Sequence, residues 1–201
     1  VIIPTLTHLL SYLLNGHRTR MDADGLLEVT NPGAPGEVGV KFLGKNALWY
    51  NGQMSLCQML ESLEDKDADI WRERAERTAA SFTKIFTGEA REGLASMVGS
   101  DLAWRDESVR SDLVVAAGLP FSPVADIGPV LDVIERQLAT PLGPRTLSVE
   151  DDRYTGDGTD ITLLPRQWSG SVAPMWFGLY CDALLRSGTE PDLNGLFEPF
   201  R

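Results

Sequence analysis

The chain has 201 residues, of which 43% are hydrophobic, and carries a formal net charge of −11 at pH 7. This length can bury a real core, and the acidic charge argues against a nucleic-acid partner because no basic stripe offsets it. No apolar run is long enough to span a bilayer, so we expect no membrane partner and a cytoplasmic location. The sequence starts at Val1 without an initiator Met, so we expect it to begin partway through a longer chain.

The few cysteines and histidines give little reason to expect metal or thiol chemistry. Cys57 and Cys181 lie far apart within apolar stretches, which favours two buried free thiols over a disulfide or a metal pair. His8 and His17 have no partner at metal-ligand spacing. We therefore predict no metal and no cofactor.

Apolar residues at helical spacing predict six helices separated by long loops. The predicted helices cover residues 5–14, 47–63, 67–86, 109–117, 125–139 and 172–185. Glycines and prolines within residues 18–43 predict a loop with a short hairpin, and a small strand fits near residues 94–99. The second and third helices share a short charged junction and should form an antiparallel helical hairpin. This pattern predicts an all-α fold.

Two segments carry acidic side chains for which a structural role and a functional role both remain open. In MDADGLLEV, residues 21–29, Asp22 either faces a substrate or caps the turn that ends at Gly25. In VRSDLVVAAGLPFSP, residues 109–123, Asp112 precedes an apolar run, where it would cap backbone N–H groups. Beside it, Arg110 would suit a carboxylate or ring hydroxyls.

Two further segments combine aromatic and polar residues in a way that suits a sugar ring. KNALWYNGQ, residues 45–53, places Trp49 and Tyr50 beside Asn51. QWSGSVAPMWFGLY, residues 167–180, places Trp168 and Trp176 at a loop-to-helix junction. Aromatic residues at helical spacing are more often core residues, so burial is the alternative.

Taken together, these segments resemble a known enzyme family. The matching stretches are DGLL (24–27), NALWYN (46–51), RSDLVVAAGLPFSP (110–123), LATPLGPRTLSVEDDRYTGD (138–157) and SGSVAPMWFGLYCDALLR (169–186). They follow the order found in the C-terminal glucosidase domain of glycogen debranching enzymes, the amylo-α-1,6-glucosidases. The resemblance spans nearly the whole chain, and the combination of motifs is more specific than any one of them.

The resemblance implies an architecture and a substrate. Members of that family form an (α/α)6 toroid of the six-hairpin glycosidase type, with the sugar site at one mouth. Because twelve helices are needed and six are predicted, residues 1–201 would form a single domain, the C-terminal half of the barrel. Such a half would need its N-terminal half or self-association to cover apolar faces. The partner would be an α-glucan or oligosaccharide, and the residues expected to hold it are Trp49, Tyr50, Asn51, Arg110, Asp112 and Trp168.

The chemistry implied by the resemblance is inverting hydrolysis by two carboxyl groups about 6.5–9.5 Å apart. This chain departs from the family pattern at the W-M-D-A segment that carries the general acid, which leaves Asp22 and Glu37 as the catalytic candidates. Gly44 replaces a Glu that usually stands two residues before N-A-L-W-Y-N, and Trp168 and Ala173 replace a usual His and Trp.

Three functions follow as alternatives. The first is a glycoside hydrolase of the debranching type, with enzymatic activity left open by the altered acid segment. The second is a non-catalytic carbohydrate-binding or structural remnant of the same barrel. The third is a helical-repeat interaction module.

Overall fold

The computed structural model describes residues 19–30, 38–87, 94–156 and 170–188. These ranges contain five α-helices and five short strands. The strands are β1 (Thr19–Met21), β2 (Leu27–Val29), β3 (Val40–Phe42), β4 (Met97–Gly99) and β5 (Arg105–Asp106). The helices are α1 (Leu43–Glu61), α2 (Ala68–Phe86), α3 (Asp112–Gly118), α4 (Gly128–Gln137) and α5 (Phe177–Arg186), the last preceded by a 3-10 turn at Pro174–Trp176.

The five strands form one antiparallel sheet in the order β1-β2-β3-β4-β5. Thr19 pairs with Val29 in the first hairpin, whereas Val40 pairs with Gly99 across the whole α1–α2 unit. The prediction of an all-α chain whose hairpins belong to an (α/α)6 toroid is therefore wrong for this structure. Strands of two or three residues are too short to show the period-two alternation that reveals a strand in a sequence.

The α1–α2 hairpin confirms the helical pair predicted from the apolar spacing. Trp49, Leu56 and Leu60 on α1 pack with Ala68 and Trp71 on α2 in a small buried cluster. Helix α1 begins four residues earlier than predicted, directly after β3, so the sheet and the hairpin are continuous. The predicted helix at residues 5–14 lies outside the described residues.

Helix α3 is buried at the centre of the larger core. All of its residues from Leu113 to Gly118 are buried, and it packs against α1, α4 and α5. Gly118 permits the close contact with α5, because a Cβ there would lie under 3.0 Å from the backbone of Leu179. The guanidinium of Arg186 on α5 donates to the carbonyls of Ala117, Leu119 and Pro120, which satisfies carbonyl groups at the end of α3.

Asn46 joins the sheet to the start of α1. Its side chain is fully buried, accepts from the N–H of Leu27 at 2.7 Å and donates to the carbonyls of Leu27 and Phe42, both at 3.0 Å. A buried amide that makes all three bonds fixes the position of β2 relative to the helix. The DGLL loop and the NALWYN helix start are therefore neighbours in space, although 19 residues separate Leu27 from Asn46.

Candidate functional site

Asp22, one of the two predicted catalytic residues, lies in an ion-paired cluster at the edge of the sheet. The ammonium group of Lys41 lies 2.8 Å from its carboxylate and also donates to Asp24. Lys41 is 2% exposed, and its hydrogen bond lowers the pKa of Asp22 despite partial burial of that carboxyl. Burial by itself lowers the pKa of Lys41, but its bonds to the two aspartates raise it overall. A carboxylate held ionised in this way is a poor proton donor near neutral pH.

Trp49, expected to hold a sugar, lies in the smaller core. Its side chain is 3% exposed, and its indole N–H donates to the carbonyl of Gly25 at 3.1 Å. The same carbonyl accepts from the hydroxyl of Thr78 on α2, also at 3.1 Å. Trp49 thus ties the DGLL loop to the helical hairpin, and no face of its ring is open for stacking.

Tyr50 and Asn51 follow on α1 and are half-buried. Burial and the charge of Glu76 raise the pKa of Tyr50, which keeps its hydroxyl protonated at physiological pH. The side-chain amide oxygen of Asn51 accepts from the backbone N–H of Phe121 at 3.1 Å and so links α1 to the loop after α3. Their roles in binding sugar remain predictions.

Asp112 has the opposite environment from Asp22. It is the first residue of α3, it is half-buried, and no hydrogen-bond partner reaches its carboxyl group from the part of the chain that the structure describes. Burial raises the pKa of Asp112, against the opposing charges of Arg110 and Lys45. A carboxyl group whose pKa is raised by burial is a better candidate for a proton donor than one held ionised by a neighbouring lysine.

The space that Asp112 occupies exists because residue 44 is a glycine. A Cβ added at Gly44 would lie under 3.0 Å from Oδ1 of Asp112, so the carboxyl group fills the volume beside the start of α1 where a side chain would otherwise begin. The resemblance places a Glu at position 44. In this chain the carboxyl group beside residue 44 belongs to Asp112 on the neighbouring helix.

Arg110 connects Asp112 with a second charged group. Its guanidinium lies 3.5 Å from the carboxylate of Asp106 and donates to the hydroxyl of Ser108 at 2.8 Å. Asp106 also lies 3.3 Å from Arg153. Burial would raise the pKa of Asp106, but hydrogen bonds from Ser108 and Arg153 lower it overall, so this carboxylate stays ionised. The result is a row of ion pairs that runs from Arg110 through Asp106 to Arg153 and begins two residues before Asp112.

Comparisons with known proteins agree with the motifs. A family model described as amylo-alpha-1,6-glucosidase matches residues 10–194. The chain belongs to this family. No curated protein matches the sequence.

A solved structure with a similar fold is the GH78 family rhamnosidase of Bacillus sp. GL1. It is 16% identical, with a TM-score of 0.61, and the alignment covers 100% of this chain and 18% of the rhamnosidase chain. At that identity the likeness shows the fold alone. Together with the family match, it makes this chain a glycoside hydrolase-like domain of the amylo-α-1,6-glucosidase family.

The structure describes six of the eight predicted site residues and leaves the positions of the other two undescribed. Glu37, the second catalytic candidate, and Trp168, a predicted sugar contact, lie outside the described residues. Of those described, Arg110 and Asp112 come together, whereas Asp22, Trp49 and Asn51 are engaged in contacts within the protein.

Sequence reasoning did not single out Asp106 and Arg153. Their contact joins residues 47 positions apart, and both stand in mixed-charge segments that are typical of solvated loops. The only available signal was the position of Arg153 within a motif shared with the family.

No candidate metal or thiol centre is visible in the residues that the structure describes. Within them no three His, Cys, Asp or Glu side chains are grouped to hold a metal ion, and no helix is long and apolar enough to cross a membrane. Cys57 and Cys181 are free thiols, and burial raises the pKa of each.

Proposed function

We propose that this domain hydrolyses a terminal α-1,6-linked glucose from a branched α-glucan, with Asp112 as the general acid. Membership of the amylo-α-1,6-glucosidase family supports the reaction class. The observation that carries the assignment of the acid is the half-buried Asp112 carboxyl beside Gly44, which has a raised pKa and no hydrogen-bond partner among the described residues.

In the proposed reaction, Asp112 transfers its proton to the glycosidic oxygen while the bond from that oxygen to the glucose C1 breaks. A water molecule supplies its oxygen to C1 and loses a proton to a second carboxylate. We assign this base role to Glu37, which the sequence offered as a candidate for the acid. Attack from the face opposite the leaving group would invert the anomeric configuration.

Arg110 would stabilise the negative charge that forms on Asp112 in this step. Once Asp112 has given up its proton, the carboxylate that forms lies close to the guanidinium of Arg110 and to Lys45. Both cations stabilise the ionised form, so proton transfer becomes easier as the leaving oxygen gains negative charge.

The test is glucose release from isomaltose and from an α-1,6-branched dextrin, assayed with Asp112→Asn, Asp22→Asn and Glu37→Gln. Asp182, an exposed carboxylate on α5, provides the matched control Asp182→Asn. We expect Asp112→Asn to lower kcat by about 10²–10⁴-fold, as for loss of a general acid, and the control to keep the wild-type rate. Glu37→Gln should also lose activity if Glu37 is the base.

Three results would count against this assignment. A full rate in Asp112→Asn would remove Asp112 from the chemistry. A comparable loss in Asp22→Asn, assayed at a temperature where that variant is still folded, would return the acid role to Asp22. Sugar binding by the wild-type protein without glucose release would leave a carbohydrate-binding domain in place of a hydrolase.

The stereochemistry can be followed in the same samples. Proton NMR at early times should show β-glucose as the first product if the reaction inverts the α-linkage, and α-glucose if it retains it.

A further inference from the structure

A second feature that could contact a sugar lies next to the candidate site. It is an open groove of about 590 Å³ between the β4–β5 turn and the loop that carries Asp151 and Arg153. This volume falls within the range typical of ligand pockets. We call it the Trp104 groove, and its walls include Leu102, Trp104, Glu107, Ser108, Asp151 and Arg153.

Trp104 presents a fixed aromatic surface to the groove. Its side chain is 42% exposed, although the indole packs directly over Gly99, where an added Cβ would lie under 3.0 Å from Nε1. The absence of a side chain at Gly99 therefore holds one side of the indole against the sheet. A large aromatic that is held in place and still exposed loses little conformational entropy when a ring stacks on it.

The turn that precedes Trp104 is strained. Leu102 has a φ of 61°, a left-handed conformation that costs a non-glycine residue on the order of 1–2 kcal/mol. Its N–H donates to the carbonyl of Gly99 at 2.8 Å, and the N–H of Ala103 donates to the Asp101 side chain at 3.0 Å. Strain retained in an exposed turn is common at sites that contact ligands.

The opposite wall of the groove is polar and ordered. Arg153 forms a two-pronged pair with Asp151, with Nε to Oδ1 and Nη2 to Oδ2 both at 2.8 Å. The hydrogen bonds from Arg153 lower the pKa of Asp151 to about 2, so this carboxylate is ionised over the physiological range. Glu107 adds another carboxylate to the lining. Carboxylates and guanidinium groups accept from and donate to hydroxyl groups, respectively.

We propose that the Trp104 groove binds a second sugar ring of the same α-glucan, next to the ring held near Asp112. The apolar face of a pyranose ring suits the exposed indole, and its hydroxyl groups suit the Asp151–Arg153 pair. The groove adjoins the site through Asp106, which contacts Arg153 at 3.3 Å and Arg110 at 3.5 Å. A neutral sugar also fits the net charge of −11, which disfavours an anionic ligand. This proposal rests on the proposed function, because it assigns part of the same substrate.

The experiment is isothermal titration of the whole 201-residue chain with three ligands: glucose, isomaltose and a glucose pentasaccharide that carries one α-1,6 branch. The proteins are wild type, Trp104→Ala and Trp104→Phe. Leu63→Ala, which removes a side chain that is 64% exposed after α1, is the control for a changed surface. Melting temperatures of all variants show whether each is folded.

The expected result is a dependence on chain length. Trp104→Ala should weaken binding of the branched pentasaccharide about 10-fold and leave glucose binding unchanged. Trp104→Phe should restore most of the lost affinity because it keeps an aromatic face. Leu63→Ala should match wild type with every ligand.

The outcomes separate the two proposals. Equal affinities of wild type and Trp104→Ala for every ligand would overturn the second-ring assignment and leave the Asp112 mechanism standing. Length-dependent binding that needs Trp104, together with no glucose release, would support the groove and overturn the hydrolase. Absence of any sugar binding by the wild-type protein would overturn both.

Discussion

Asp22 lies just before one family motif and Asp112 lies within another, and the fold gives them opposite environments. Asp22 lies 2.8 Å from the ammonium group of a buried lysine, Lys41, which holds the pKa of the carboxyl below its ordinary value. Asp112 has no hydrogen-bond partner among the described residues, and burial raises its pKa. Because the two side chains are chemically identical, the difference comes entirely from the groups around them.

The comparison shows that one fold can place the same residue type in two different electrostatic environments. The letters of the Asp22 segment copy part of the family's acid motif, but its charge is used for holding the sheet edge together. The Asp112 segment carries no letter that marks an acid, yet the glycine facing it leaves room for a carboxyl group whose pKa is raised by burial.

The largest effect is expected when a methyl group is added beside Asp112. In Gly44→Ala, the new Cβ would meet Oδ1 of Asp112, and the flexible carboxyl group would have to move. Misplacement of a catalytic group by about 1 Å can cost 10²-fold, so we expect kcat for glucose release to fall by about that factor with little loss of stability. Gly178→Ala is the matched control, since Gly178 is also the second residue of its helix and nothing lies within 4 Å of the added Cβ. Equal rates in the two variants would show that the position of Asp112 does not matter.

The next largest effect, on stability, is expected when Asp22 loses its lysine partner. Lys41→Met removes the charge that Asp22 and Asp24 share and leaves two partly exposed carboxylates without it. We expect the free energy of unfolding to fall by about 2 kcal/mol at pH 7, below the range for a fully buried pair because water reaches both carboxylates. Urea denaturation measures this loss. Lys84→Met, an exposed lysine on α2, should change stability by no more than about 0.5 kcal/mol. A loss equal in both variants would place the effect outside the ion-paired cluster.

The smallest effects are changes in melting temperature, which should have opposite signs for Asp22→Asn and Asp112→Asn. The lowered pKa of Asp22 contributes stability above its unfolded-state pKa, near 3.8, and this contribution is lost as the pH falls through the folded-state pKa. The raised pKa of Asp112 reduces stability as the pH rises from 3.8 through its folded-state pKa. At pH 7, Asp22→Asn should therefore lower the melting temperature by a few degrees and Asp112→Asn should raise it slightly.

Thermal melts at pH 3 and pH 7 check this pair of signs. The difference from wild type should shrink for both variants at pH 3, because this pH lies below the unfolded-state pKa of 3.8, where unfolded aspartates are mostly protonated. A rise in melting temperature for Asp22→Asn at pH 7, or a fall for Asp112→Asn, would contradict the pKa directions that separate the two aspartates.

The long helices, a hairpin within residues 18–43 and a strand near residues 94–99 were predictable, whereas the pairing of five strands into one sheet was not. Helices α1 and α2 each have 19 residues, long enough for an apolar stripe to repeat several times. Strand β3 has three residues, and its partner β4 follows more than fifty residues later. The pairing of such strands depends on the hairpin folded between them, and no local pattern in the sequence records that.

The site was predictable to the level of segments, but the roles of its residues were not. Asp112 and Arg110 were singled out from one motif, whereas the approach of Asp112 to Gly44 joins residues that lie far apart in the chain. The capture of Asp22 by Lys41 likewise depends on a contact across 19 residues. Trp49 was expected to contact a sugar, but its ring is buried and its indole N–H donates to the carbonyl of Gly25.

The contact between Arg186 and the end of α3 sets an order of events during synthesis of the chain. Until residue 186 has left the ribosome, the carbonyls of Ala117, Leu119 and Pro120 lack the guanidinium that satisfies them. A nascent chain that ends before α5 would also leave the buried face of α3 uncovered. We therefore expect the helix that begins with Asp112 to reach its final packing among the last parts of the domain. A product that ends before α5 would carry the segments at residues 46–51 and 110–123 without the contacts that complete the packing of this helix.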